Sequence, residues 1–160
     1  MRKNVRRLFQ DATPMLRWLR RFFLRPDSAA SARGARGERL AADFLSRERG
    51  CKIVARNWRA PRDRRAELDL VVRDGEALVF VEVKTRTAGA LVPGFYAVTP
   101  RKKRALRRAC DRYLAQLAAP PRTFRLDVVE VALPADPAAA GARPEIRHFE
   151  NIPLFPKHHR

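Results

Sequence analysis

The stretch ELDLVVRDGEALVFVEVK, Glu67 to Lys84, constrains the fold more than any other part of the chain. Two runs rich in β-branched and aliphatic residues flank Asp74-Gly75, a dipeptide that favours two-residue hairpin turns. Yet Glu67, Asp69, Glu82 and Lys84 sit in or beside the strand interiors. A turn at Asp74-Gly75 opposes Arg73 to Glu76, Glu67 to Glu82 and Asp69 to Phe80, and makes Asp69 the diagonal neighbour of Glu82. Side chains alternate with a period of two, so these charged residues project from one face, at the end away from the turn. Val71, Leu78 and Phe80 continue that face as core toward the turn. The other face, Leu68, Leu70, Val72, Val79, Val81 and Val83, is apolar.

Opposed Cβ atoms in such a pair lie about 4.5–5.5 Å apart and diagonal ones about 7–8 Å, where carboxylates repel one another. Two readings follow. In one, the acids compensate each other's burial by holding a hard divalent cation, and Mg²⁺ bound by one or two carboxylates, waters and a substrate phosphate suits the spacing. In the other, Glu67 and Glu82 are solvated at an open sheet end and Lys84 and Arg65 neutralise them as surface ion pairs.

Around the hairpin, patterning places a helix over 34–50, with Leu40, Ala41, Phe44 and Leu45 as its apolar stripe and Gly50 as its stop. CKIVARNW (51–58) reads as a strand and RAPRDRRA (59–66) as a basic loop. Thr99-Pro100 starts a helix that runs to about Leu117, with Lys102, Lys103, Arg104, Arg107 and Arg108 crowding its first turns. TFRLDVVEVAL (123–133) alternates as a strand, 134–144 is a loop, and EIRHFE (145–150) is a short strand. The resulting fold class is α/β, a mixed sheet with an antiparallel hairpin flanked by helices.

The chain has 160 residues and a net charge of +18, which favours polyanions: nucleic acid first, an anionic membrane surface second. Cys51 and Cys110 show no CxxC spacing and read as free thiols of a reducing cytoplasm, so the chain is expected to be cytoplasmic. No apolar run approaches the roughly 20 residues of a transmembrane helix. Residues 1–33 read as a basic amphipathic extension and linker, 34–152 as the domain, and 153–160 as a tail. Within the extension, Met15 to Arg25 has helical spacing with a cationic opposite face. It suits a helix docked on the domain, a contact with membrane or nucleic acid, or an extension with no role. Trp58 suits core packing or base stacking. His148 reads as a packed or surface histidine.

ELD followed by EVK resembles the PD-(D/E)xK signature of the restriction-endonuclease-like fold, with Asp69 at its first Asp and Glu82 and Lys84 at its ExK. The helix GARGERLAADFL resembles the first helix of the Holliday-junction-resolvase branch, where a Glu joins the metal site; here that is Glu38. The fuller match is to the YraN family of bacterial endonuclease-like proteins. Its pattern appears as Gly34, Gly37, Glu38 and Ala41, then Arg56-Asn57, AELDLV (66–71), FVEVKTR (80–86) and Lys102-Lys103. FRLDVV (124–129) and IRHFEN (146–151) resemble its C-terminal strands. Ala66 departs from the pattern, which has Gly before Glu67.

The resemblance implies a restriction-endonuclease-like core and Mg²⁺- or Mn²⁺-dependent hydrolysis of DNA, with branched or damaged DNA as candidate substrates. Asp69, Glu82, Lys84 and Glu38 would be the catalytic set. Asp69 and Glu82 would hold metal, joined by Glu38, while Glu67 is either an auxiliary ligand or the ion-pair partner of an arginine. Arg86, Lys102, Lys103 and Arg65 are candidates for phosphate contact, or for a solvated basic face. A homodimer is implied by analogy with junction-cutting enzymes of that fold. Two other functions fit the sequence: a catalytically silent nucleic-acid-binding protein of the same fold, and a membrane-surface adaptor that uses residues 15–25.

Overall fold

The structure, a computed structural model, describes residues 28–61, 63–88, 100–138 and 141–154, with only the backbone of Ser28, Arg64 and Arg65. The amphipathic stretch at 15–25 and residues 89–99 lie outside the described residues. Chain order is α1 (Ser28–Arg47), β1 (Lys52–Ala60), β2 (Asp63–Asp74), β3 (Ala77–Thr87), α2 (Pro100–Ala115), β4 (Thr123–Leu133) and β5 (Glu145–Phe149). The residues from Arg33 onward form one compact unit.

The strands build one five-stranded sheet in the order β1-β2-β3-β4-β5. β3 and β4 are parallel and are joined by the crossover that contains α2; the other neighbours are antiparallel. This is the mixed α/β sheet flanked by helices that the patterning implies. Helix α1 packs Ala41, Ala42 and Leu45 on one face, against Leu70, Val72, Val81 and Val129. Helix α2 packs Leu106, Ala109, Cys110 and Tyr113 on the other, against Val71, Phe80, Leu126 and Val128. Both cysteines are free and buried. Among the described residues no helix is long and apolar enough to cross a membrane.

Three local details differ from the sequence reading. Helix α1 begins at Ser28, so part of the stretch read as a linker is helical. It ends where Gly50 takes φ +68° and the Cys51 amide reaches back to the Leu45 carbonyl at 2.9 Å. The basic stretch 59–66, read as a loop, is mostly strand. Pairing of Trp58 with Leu68 and Arg59 with Glu67 carries the β1–β2 ladder on to Ala60 and Asp63. An Arg59–Glu67 ion pair at 2.8 Å ties the two strands across that end.

The β2–β3 turn is the third correction. Asp74 stays in the ladder opposite Ala77, and Gly75-Glu76 makes the turn. Gly75 has φ +54° and Glu76 does not share it, the pattern of a type II′ turn with glycine first. Arg125 explains the choice, because it donates to Asp74 Oδ2 at 2.8 Å and holds that residue at the sheet. Pairings therefore shift by two residues, to Val71–Phe80 and Leu70–Val81. An even shift leaves every side chain on its own face.

Gly37 sets how closely α1 approaches the sheet. A Cβ there would lie 1.8 Å from Thr85 Oγ1 and 2.8 Å from Thr85 Cβ. Glycine in a helix interior costs about 1 kcal/mol relative to alanine; here it lets α1 lie directly on β3, with Glu38 as the next residue.

Candidate active site

The site lies at a fork in the sheet. The β2–β3 ladder stops at Leu70–Val81, whereas β2 continues beside β1 to Glu67 and β3 continues beside β4 to Thr87. In place of the next ladder bond, the Val83 amide donates to Asp69 Oδ2 at 2.8 Å. Carried one step past the last pair, Leu70–Val81, the register would set Asp69 opposite Glu82, where the sequence reading made them diagonal.

Glu82 is 2% exposed. Its Oε1 accepts Lys84 Nζ at 2.7 Å and Lys102 Nζ at 3.0 Å. Its Oε2 is buried and, among the described residues, has no hydrogen-bond partner. Burial, and then the Glu82 charge, push the Asp69 carboxyl up to about 7; the Val83 amide and Lys102 pull the other way, and Glu38 adds to the rise. Glu38, half-buried on α1, is thus near enough for its charge to act on Asp69. The structure therefore brings Asp69, Glu82, Lys84 and Lys102 together and sets Glu38 at the margin.

Among the described residues, no three Asp, Glu, His or Cys side chains are gathered closely enough to cage a metal by themselves. The chemistry available is a pair of mutually repelling carboxylates, Asp69 half-buried and Glu82 buried, the latter with an oxygen left without a hydrogen bond among the described residues. That donor set fits a hard divalent ion that takes one or two carboxylates and completes its shell with water and phosphate.

The remaining candidates are placed as follows. Leu68 joins the α2 face with Val71, not the α1 face with Leu70, so alternation slips at Asp69, opposite Asn57 with its φ of +48°. Glu67 consequently leaves the face shared by Asp69 and Glu82 and pairs with Arg59. Arg86 forms an ion pair with Glu130, which is 1% exposed. Lys103 is half-buried on α2, and the Arg65 side chain is outside what is described. Trp58 lies edge-on to Tyr113, with ring centroids 5.2 Å apart, so its inner edge is core packing.

Sequence reasoning missed the buried acids of β4. Asp127 is fully buried on the α1 face and accepts Arg125 Nε at 3.0 Å, His148 Nε2 at 2.9 Å and the Asn151 amide at 3.0 Å. Burial raises its carboxyl, but the bonds from His148, Arg125 and Asn151 outweigh that and hold it below the usual range. His148 is therefore a packed histidine with a carboxylate partner. The signal was in FRLDVVEV: acids inside an apolar strand raise the same question as Asp69 and Glu82.

Residues 37–131 match the family described as "Uncharacterised protein family UPF0102". A UPF0102 protein of Beutenbergia cavernae is 52% identical over 103 residues, 64% of this chain and 84% of its own length. One from Mycolicibacterium gilvum is 43% identical over 130 residues, covering 80% of this chain and 98% of the relative. A third, from Geobacter metallireducens, is 40% identical over 118 residues, 74% of this chain and 88% of that protein. The stretch in common takes in the Gly37-Glu38 start of the domain, the forked hairpin and β4, and the chain belongs to the UPF0102 family.

Proposed function

We propose that the chain is a metal-dependent nuclease that hydrolyses phosphodiester bonds in DNA at the β2–β3 fork. The observation that carries this reading is the pairing of half-buried Asp69 with buried Glu82, whose Oε2 has no hydrogen-bond partner among the described residues while two lysines share Oε1. Asp69 and Glu82 would hold Mg²⁺ or Mn²⁺, with Glu38 joining directly or through water. When bound, such an ion supplies Lewis-acid polarisation of the scissile phosphate and an acidified water.

The chain's own residues do the rest. Val83 fixes the Asp69 carboxylate by its amide, and Glu82 Oε1 fixes the Lys84 and Lys102 ammonium groups beside the same pair. Lys84 then stands where it can stabilise negative charge that develops on the phosphate oxygens. Lys102, in the first turn of α2, combines its charge with the positive end of that helix, which favours phosphate. The net charge of +18 draws the polyanion to a site that itself contains acids.

The test is incubation with linear, nicked, flapped and four-way DNA in Mg²⁺ and in Mn²⁺, beside Asp69→Ala. Metal-dependent cleavage that disappears in the variant is expected. Binding to every substrate with no cleavage would overturn the enzyme reading, and cleavage unchanged in Asp69→Ala would overturn the site.

A further inference from the structure

Helix α2 presents a second feature on the side away from the core. Arg101, Arg104, Arg108 and Arg112 are all exposed and recur every three or four residues, so they form one stripe along the helix. The stripe begins beside Lys102, the residue that reaches Glu82. It ends at Arg112, on the wall of a cleft of about 560 Å³ lined by Trp58, Ala60, Pro61, Arg112, Ala115 and Gln116. The eleven helical steps from Arg101 to Arg112 span about 17 Å, and a strand carries one phosphate per roughly 3.4 Å along a duplex and fewer when extended. The stripe thus spans several phosphates.

The cleft is built with fixed walls. Arg112 is pinned to Asp63 at 2.9 Å, which ties the end of α2 to the start of β2. Trp58 is braced edge-on by Tyr113, itself edge-on to Phe80 at 5.7 Å. One side of the indole is therefore held by the core while another lines the cleft. Trp58 also pairs across the ladder with Leu68, the residue next to Asp69. A rigid aromatic wall, a guanidinium and an amide (Gln116) in one open cleft, reached along a cationic stripe, match the chemistry of an unstacked nucleobase on a polyphosphate backbone. A duplex keeps its bases stacked and offers nothing for the indole.

We infer that this cleft is a base-binding subsite. It takes an unpaired nucleobase of a single-stranded polynucleotide whose phosphates lie along the α2 arginines toward the Asp69–Glu82 fork. The inference rests on the nucleic-acid reading above and narrows its substrate class to strands with an unpaired segment.

The experiment is done in EDTA, so that it does not depend on cleavage. The full chain carrying Trp18→Phe leaves Trp58 as its single tryptophan. Its fluorescence is followed while dT12, U12, a dT12·dA12 duplex and anionic phosphatidylserine vesicles are added. Quenching by dT12 or U12 but not by the duplex is expected; comparing the first two tells which backbone is preferred. In the parent chain, Trp58→Leu should weaken single-strand binding about 5- to 100-fold, the range of one base–aromatic stack, and leave duplex binding within about twofold. Arg104→Ala with Arg108→Ala should flatten the salt dependence of single-strand binding by up to about one logarithmic step for each phosphate-binding arginine removed. No quenching by either single strand, equal loss on single strand and duplex in Trp58→Leu, or quenching by vesicles alone would overturn the subsite. The two readings fail separately: cleavage of DNA without Trp58 quenching leaves the nuclease and removes the subsite, while quenching without cleavage of any substrate does the reverse.

Discussion

Replacing Asp69 by asparagine separates what the fork costs the fold from what it does. Asparagine keeps an oxygen to accept the Val83 amide and removes the charge that faces Glu82. The Asp69 carboxyl rises from 3.8 to about 7, first through burial and then through Glu82. A folded-state value above the unfolded one means that, in between, the native state holds a proton the unfolded state has released. Stability of the parent therefore falls as pH rises from about 4 to about 7 and levels off above. Each decade of proton affinity is worth about 1.4 kcal/mol, so at pH 8 the ionised carboxylate costs the metal-free fold about 4 kcal/mol. In urea titrations with EDTA, Asp69→Asn should match the parent near pH 4 and exceed it by that amount at pH 8. With millimolar Mg²⁺ the parent should regain stability by mass action and the variant should not. A variant less stable than the parent at pH 8 in EDTA, or a difference that stays flat between pH 5 and 8, would refute the claim that the acids are uncompensated there.

Glu82→Gln should abolish metal-dependent cleavage while nucleic-acid binding persists, because Lys84 and Lys102 keep their charges and lose only their shared anchor; parallel binding and cleavage assays check this. Gly37→Ala should destabilise by about 1–3 kcal/mol despite better helix propensity, since its Cβ would meet Thr85, and Thr85→Ala should restore part of the loss in thermal melts. Asp127→Asn should cost about 3 kcal/mol at pH 7 by leaving Arg125 and His148 without their buried partner. Because the Asp127 carboxyl lies below its usual 3.8, that difference should persist down to about pH 4 and fade only below it, as the parent's own carboxylate is protonated; acid unfolding curves of the two proteins should converge there.

Asp69, Glu82 and Lys84 were legible as one cluster because face assignment depends only on parity. The turn moved from Asp74-Gly75 to Gly75-Glu76, yet an even shift preserved the face. The position of the turn itself was not legible, since it is set by Arg125, 51 residues away, holding Asp74 at the ladder. β4 was legible to the residue because its run of aliphatic and β-branched residues is bounded by Pro121 and Pro134. The β1–β2 connection was not: Pro61 and a run of arginines imitate a loop, while cross-strand pairing of Trp58 and Arg59 carries the ladder through most of it. Glu67 was misplaced for a related reason. Alternation slips at Asp69, opposite Asn57 in a left-handed conformation, and nothing in the alternation of β2 announces that slip.

The observed register sharpens the electrostatic argument. Opposed carboxylates repel more strongly than diagonal ones, and the register carried one step past Leu70–Val81 opposes Asp69 to Glu82. Two lysines already contact Glu82, and still the Asp69 carboxyl is pushed up. The reason lies in where the positive charge sits. Both ammonium groups converge on Glu82 Oε1, and their side chains are 28% and 38% exposed, so solvent screens them. Oε2 is buried and, among the described residues, has no hydrogen-bond partner. Monovalent side chains therefore balance one oxygen of Glu82 and not the other, while the charge of Glu82 still raises the Asp69 carboxyl. A chain with a net charge of +18 had many arginines with which to close that gap by an ion pair, as it closes Asp127 with Arg125. The contrast between those two buried acids, one satisfied by Arg125, His148 and the Asn151 amide and the other not, is the physical ground for proposing a divalent cation at the fork and not at the Asp127 network.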